Sequence, residues 1–169
     1  MNRFSAAMAT LTTIGIAASL IIGPVIWLFF IEWAAAASRF GSQPQSFSTD
    51  LRLAGAFIAL MGGIVRAYGL LGLRRTFTEA ASKRPLSKRA VVGFRRFARV
   101  ELLMVPIGIV QFSAFGYVVS LSDNIDGGSV SIRFGTPELG AFFIALLLAF
   151  AAEVFAEGRR AADENASFL

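Results

Sequence analysis

The sequence predicts an all-α fold, an integral membrane four-helix bundle with both termini on the cytoplasmic side. Three observations carry that expectation. Four long apolar runs recur along the chain, a dense band of Lys and Arg separates the second from the third, and small residues line one face of the second. Hydrophobic residues make up 56% of the 169 and charged residues only 16%, with 17 Phe. Mean hydropathy is +0.66. Residues 4–31 and 102–121 carry no charge, 53–73 carry only Arg66, and 139–156 carry only Glu153. A helix needs about 20 apolar residues to cross hydrocarbon. A soluble bundle would show polar stripes at helical spacing, which these runs lack. The expected spans are therefore about 8–33, 52–73, 100–121 and 138–156, in a single transmembrane domain covering 1–169.

The first run is too long for the apolar core of a signal peptide, about 7–15 residues. It is expected to stay in the chain, with Trp27 and Trp33 as anchors at the outer interface. The first external loop, SRFGSQPQSFSTD, reads as plain connection. The second contains SDNIDGGSVSIRFGTPE, where DGG signals a turn and SVSIRF alternates like a short strand. A calcium loop counted from Asp123 would need a bidentate Glu at its twelfth position, which Phe134 occupies. No metal ligand set is expected.

Residues 74–99 hold nine cations (Arg74, Arg75, Lys83, Arg84, Lys88, Arg89, Arg95, Arg96 and Arg99) against Glu79 alone. Lys and Arg accumulate in cytoplasmic loops, so this loop is placed inside, with both termini and the tail 157–169. Past Pro85, the residues Ala90, Val91, Phe94, Phe97 and Ala98 share a helical face while Lys88, Arg89, Arg95, Arg96 and Arg99 crowd the rest. A basic amphipathic helix of this kind typically lies at the headgroups and attracts anionic lipid. The simpler reading of the same charges, a topology signal leading into the third span, is preferred to a dedicated docking surface for a partner. The sequence pI of about 10.7 is accordingly read as a lipid signal, without direct nucleic-acid binding.

Arg66 is a permanent cation inside an apolar run. On a helical wheel Gly55, Ala59 and Gly62 lie within about 40° of it, and Gly63 and Gly69 within about 60°. Small stripes let helices approach closely in lipid, so Arg66 is expected to face other helices. It lies eight residues before Arg74, about 12 Å from the inner boundary, and Glu153 lies six before Arg159, about 9 Å from it. An Arg66–Glu153 pair is expected, with Glu101 as competing or additional acceptor. Snorkelling of Arg66 to the headgroups and an ion-pathway role stay open. Gln111, polar in mid-span, is expected to bond across helices.

The chain has no Cys and no His. Thiol chemistry, His-based general base catalysis and haem ligation by His are excluded, no span holds an Asp, and no Gly-rich phosphate loop opens a helix. No enzyme activity and no cofactor are expected.

Two stretches carry a resemblance. In LRRTFTEAASKRPLSKRAVVGFRRFA the pair Phe77–Thr78 precedes basic helical positions, and in AEVFAEGRRAADENASFL the residues Phe155, Gly158, Arg159, Glu164 and Asn165 close the chain. The chain resembles a family of small four-span bacterial membrane proteins described as domain of unknown function number 2975. Arg75 and Ser82 stand where that family often has Gly and Asn. The resemblance implies a multi-pass protein of the bacterial inner membrane, and a cytosolic partner of the helix-turn-helix regulator type. Basic loop and acidic tail, Asp163 and Glu164, would then form one docking surface. The expected function is a non-enzymatic regulatory or sensory membrane partner. The alternative is a small homo-oligomeric ion or amphiphile transporter that uses Glu153 and Glu101.

Overall fold

The long apolar runs become long helices, two of them holding a proline (Pro24, Pro106), and four such helices account for nearly all of the described chain. The computed structural model describes residues 2–32, 47–122 and 135–167. Helix α1 spans Asn2–Val25 and passes into a π-helical turn at Ile26–Phe30; α2 spans Thr49–Ala81, α3 Lys88–Ser122 and α4 Thr136–Ser167. No strand occurs among the described residues. Trp33 and the expected turn and strand at 123–134 lie outside them. All four helices are long and apolar enough to cross a membrane. Their outer faces suit such a solvent: Phe29 is 71% exposed and Phe150 70%, an apolar surface that water disfavours and lipid accepts.

The helix ends follow from local chemistry. Ser48, in extended conformation, accepts a hydrogen bond from the Leu51 N–H at the start of α2, and Ser87 accepts one from the Ala90 N–H at 3.1 Å at the start of α3. Glu138 reaches back from the first turn of α4 to accept from the Gly135 N–H at 2.8 Å. Helix α2 ends in a Schellman motif, in which the Arg84 N–H donates to Glu79 O at 3.0 Å and the Lys83 N–H to Ala80 O at 3.1 Å. That motif puts Lys83 at φ 61°, a left-handed conformation that costs a non-glycine residue about 1–2 kcal/mol. Lys83→Gly is therefore expected to stabilise the protein by about 1 kcal/mol, read as a higher unfolding midpoint in detergent. An unchanged or lower midpoint would contradict this assignment.

The expected loop 74–99 is mostly helix. Helix α2 continues through 74–81 and α3 begins at Lys88, leaving 82–87 as the connection. The amphipathic stretch is the opening of α3 and leads without a break into the third apolar run, as its simpler reading expected. The tail likewise continues α4 to Ser167. At 33 and 35 residues, α2 and α3 are each about 50 Å long and outrun a hydrocarbon layer of about 30 Å.

Consecutive helices run antiparallel and pack in chain order as an open layer, with α2 between α1 and α3 and α4 lying on α3. Glycines decide this. A Cβ on Gly63 would overlap the Ser19 carbonyl oxygen of α1, and one on Gly69 would come within 2.8 Å of Val100 on α3. Gly72 and Gly93 face each other so closely that a Cβ on either would stand 2.5 Å from the other's carbonyl oxygen. Lipid offers helices no hydrophobic drive to associate, so close van der Waals packing along such stripes holds them together. Gly55 receives the indole of Trp27. Trp27 is thus no interface anchor: it is only 6% exposed, stacks near Phe115 at 5.0 Å, and shares a core with Ile31, Phe47, Ala56, Ala59, Val118 and Val119. Trp27 follows Gly23 by four residues on the same face of the helix, Gly23 meeting Ala59 and Trp27 meeting Gly55, while Pro24, which lacks an N–H, directly precedes the turn that leads into the π-helical segment.

Candidate functional site

The polar residues fall into three groups, and the first sits where α3 and α4 meet at the basic end. Arg95 Nε donates to Glu153 Oε1 at 3.0 Å, and Arg95 Nη2 donates to Glu153 Oε2. The expected Arg66–Glu153 pair does not form. The antiparallel packing of α3 on α4, marked by the edge-on contact of Phe94 with Phe155 at 5.3 Å, brings Glu153 level with Arg95. Glu153 therefore stands closer to the end of the layer than Arg66 does. The two side chains are 38% and 64% exposed, so the pair contributes below about 1 kcal/mol and acts mainly to set register.

Beyond it, Arg159 Nη1 donates to Leu86 O at 3.0 Å, tying α4 to the α2–α3 connection. The tail acids are neutralised on their own helix. Asp163 pairs with Arg159 at 2.9 Å and Glu164 with Arg160 at 3.8 Å.

The second group is a cleft of about 760 Å³ between the last turns of α2 and the first turns of α3. Arg74, Arg75, Lys88, Arg89 and Arg96 line it, against the single carboxylate of Glu79. The sequence reading placed Lys88, Arg89 and Arg96 together with Arg95 and Arg99. The structure instead joins the first three to Arg74 and Arg75, assigns Arg95 to Glu153, and leaves Arg99 exposed outside the cleft. The cleft's walls are pinned: Thr76 Oγ1 donates to Ala90 O across the helices at 2.9 Å, and Arg74 Nε donates to Thr13 Oγ1 at 2.9 Å.

The third group lines the open face of the layer. A groove of about 680 Å³ runs over α2 between α1 and α3, with Arg66 and Gln111 on its walls. A smaller cavity of about 250 Å³ between α2, α3 and α4 is lined by Arg66, Glu101, Met104 and Ala145 among others. Arg66 and Glu101 share this cavity without forming an ion pair, and neither has another partner among the described residues. Gln111 Nε2 donates to Ile58 O on α2 at 3.0 Å, and Gly62 leaves room for its amide. No family model, no curated protein and no solved structure matches this chain. Its chemistry is therefore read from these side chains alone.

One polar cluster escaped the sequence reading. At the end opposite the basic cleft, Arg52 donates to Leu28 O at 3.0 Å and to Phe47 O at 3.2 Å, and it pairs with Glu32. One guanidinium thus bonds two backbone carbonyls and a carboxylate, tying the π-helical turn to the start of α2. The available signal was the pairing of Glu32, ending one apolar run, with Arg52, opening the next.

Proposed function

We propose that the chain is a non-enzymatic multi-pass protein of the bacterial inner membrane that restrains or signals to a cytosolic protein. The observation that carries this reading is the joined end of three helices. Helices α2, α3 and α4 all run past their apolar segments on the same side, and the Arg159–Leu86 and Arg95–Glu153 bonds link them there. A linked helical platform offers a protein partner a preorganised surface, which lowers the ordering cost of binding. The concentration of Lys and Arg at that end supports a cytoplasmic location. The resemblance noted for the hairpin and the tail supports a regulator of the helix-turn-helix type as the partner, by analogy. The test uses the full chain in nanodiscs as bait beside a chain truncated after Gly158. A protein held by the first and lost by the second is the expected result. Identical captures from both would overturn the docking reading, and a probe at position 80 reached only from outside the cell would overturn the orientation.

A second reading, a small oligomeric transporter, is favoured by the unpaired Arg66 and Glu101 in one cavity within the apolar layer. Glu153, engaged by Arg95, drops out of that reading, and Glu101 becomes its carboxylate. Glu101→Gln abolishing proton-coupled flux in proteoliposomes would favour it over the platform.

A further inference from the structure

We propose that the cleft between the end of α2 and the start of α3 is a binding site for the phosphate-bearing headgroup of an anionic lipid. The inference is independent of any protein partner and needs only that the helices span a bilayer.

Five cations meet one carboxylate there. Their engagement by the protein is uneven. Arg74 is held by the Thr13 hydroxyl, and Arg96 lies over the Tyr68 ring at 4.8 Å. Arg75, Lys88 and Arg89 have no acceptor among the described residues. Glu79, the one acid, is approached from outside the cleft by Arg84 at 3.9 Å. Three uncompensated cations are thus held together by a backbone that cannot spread, because Gly72 and Gly93 meet beside them and Thr76 bonds to Ala90 across the gap. Like charges lining one cleft are relieved by an anion bound among them. Guanidinium groups match phosphate oxygens two at a time, so a phosphate suits this lining better than a diffuse anion does.

Position selects the source. Arg74 and Arg75 follow directly on the apolar LLGL of α2, and Val92 and Gly93 add an apolar wall. The cleft therefore opens at the edge of the hydrocarbon, where lipid phosphates lie. Lys88 and Arg89 are the first residues of α3, whose dipole adds positive potential at the same place. A volume of about 760 Å³ lies within the usual range for small-ligand pockets, large enough for a glycerophosphate headgroup.

The test measures equilibrium binding of tail-labelled phosphatidic acid to the full-length protein in neutral detergent micelles. Arg75→Gln with Arg89→Gln should weaken binding roughly tenfold or more, since each cation near the surface contributes appreciably to headgroup attraction. Lys83→Gln with Arg99→Gln removes the same charge outside the cleft and should change binding by less than about twofold. Equal losses in both doubles, or none in the first, would overturn the site. The wild-type protein supplies a readout free of folding effects: its binding should weaken steadily with added salt, and salt-independent binding would contradict the proposal. Inorganic pyrophosphate separates the sources. Binding of pyrophosphate to lipid-free protein as tight as that of the lipid would remove the lipid assignment in favour of a soluble phosphate ligand.

Discussion

Gly63→Ala is expected to destabilise the protein by roughly 2–3 kcal/mol, while alanine at Gly108, Gly140 or Gly158 should leave stability unchanged or raise it by up to about 1 kcal/mol. All four substitutions add the same methyl group to a helix. At Gly63 that methyl meets the Ser19 carbonyl oxygen of α1, and a backbone atom cannot rotate aside. The α1–α2 crossing must open along its length, losing contacts that lipid does not replace. At Gly108, Gly140 and Gly158 nothing lies within 4 Å of the added carbon, so only helix propensity acts, and it favours alanine. Thermal or denaturant unfolding in detergent, followed by helicity, measures the contrast. Similar midpoint shifts at Gly63 and Gly108 would mean that α1 does not sit against α2 at this crossing.

The second large effect lies at the opposite end. Arg52→Leu should cost about 2–3 kcal/mol, because it leaves the Leu28 and Phe47 carbonyls without their charged donor. Glu32→Gln should cost less than about 1 kcal/mol, since the Glu32 side chain is 47% exposed and its ion pair is weakened by solvent. The inequality is what separates the two roles of Arg52. Equal costs for the two variants would make the ion pair, and not the bonds to the carbonyls, the source of its stabilising effect.

The four long apolar helices were legible in the chain because a run of about 20 apolar residues has few other folded outcomes. Legible too was the packing face of α2, since Gly55, Ala59, Gly62, Gly63 and Gly69 share one side of a helical wheel and are all buried. Gln111 was readable as an interhelical donor because a primary amide in hydrocarbon must find an acceptor. The acceptor itself, Ile58 O, was not readable, because backbone carbonyls look alike in every residue.

What the amino-acid order determined by itself is the number of long helices, their apolar character, the end where positive charge collects and the stripe along which α2 packs. Each follows from local composition and a period of 3.6 residues, which are properties of one segment at a time. Tertiary structure alone decided which charges meet. Axial offset between α3 and α4 gave Glu153 to Arg95 and left Arg66 beside Glu101. The packing of α1 on α2 made Trp27 a core residue, seated on Gly55 in line with the Ser19 and Gly23 contacts. The Gly72–Gly93 crossing drew Arg74 and Arg75 into one cleft with Lys88, Arg89 and Arg96. A shift of one residue between neighbouring helices moves a side chain by about 1.5 Å and 100°, so partners depend on packing geometry that no single segment encodes.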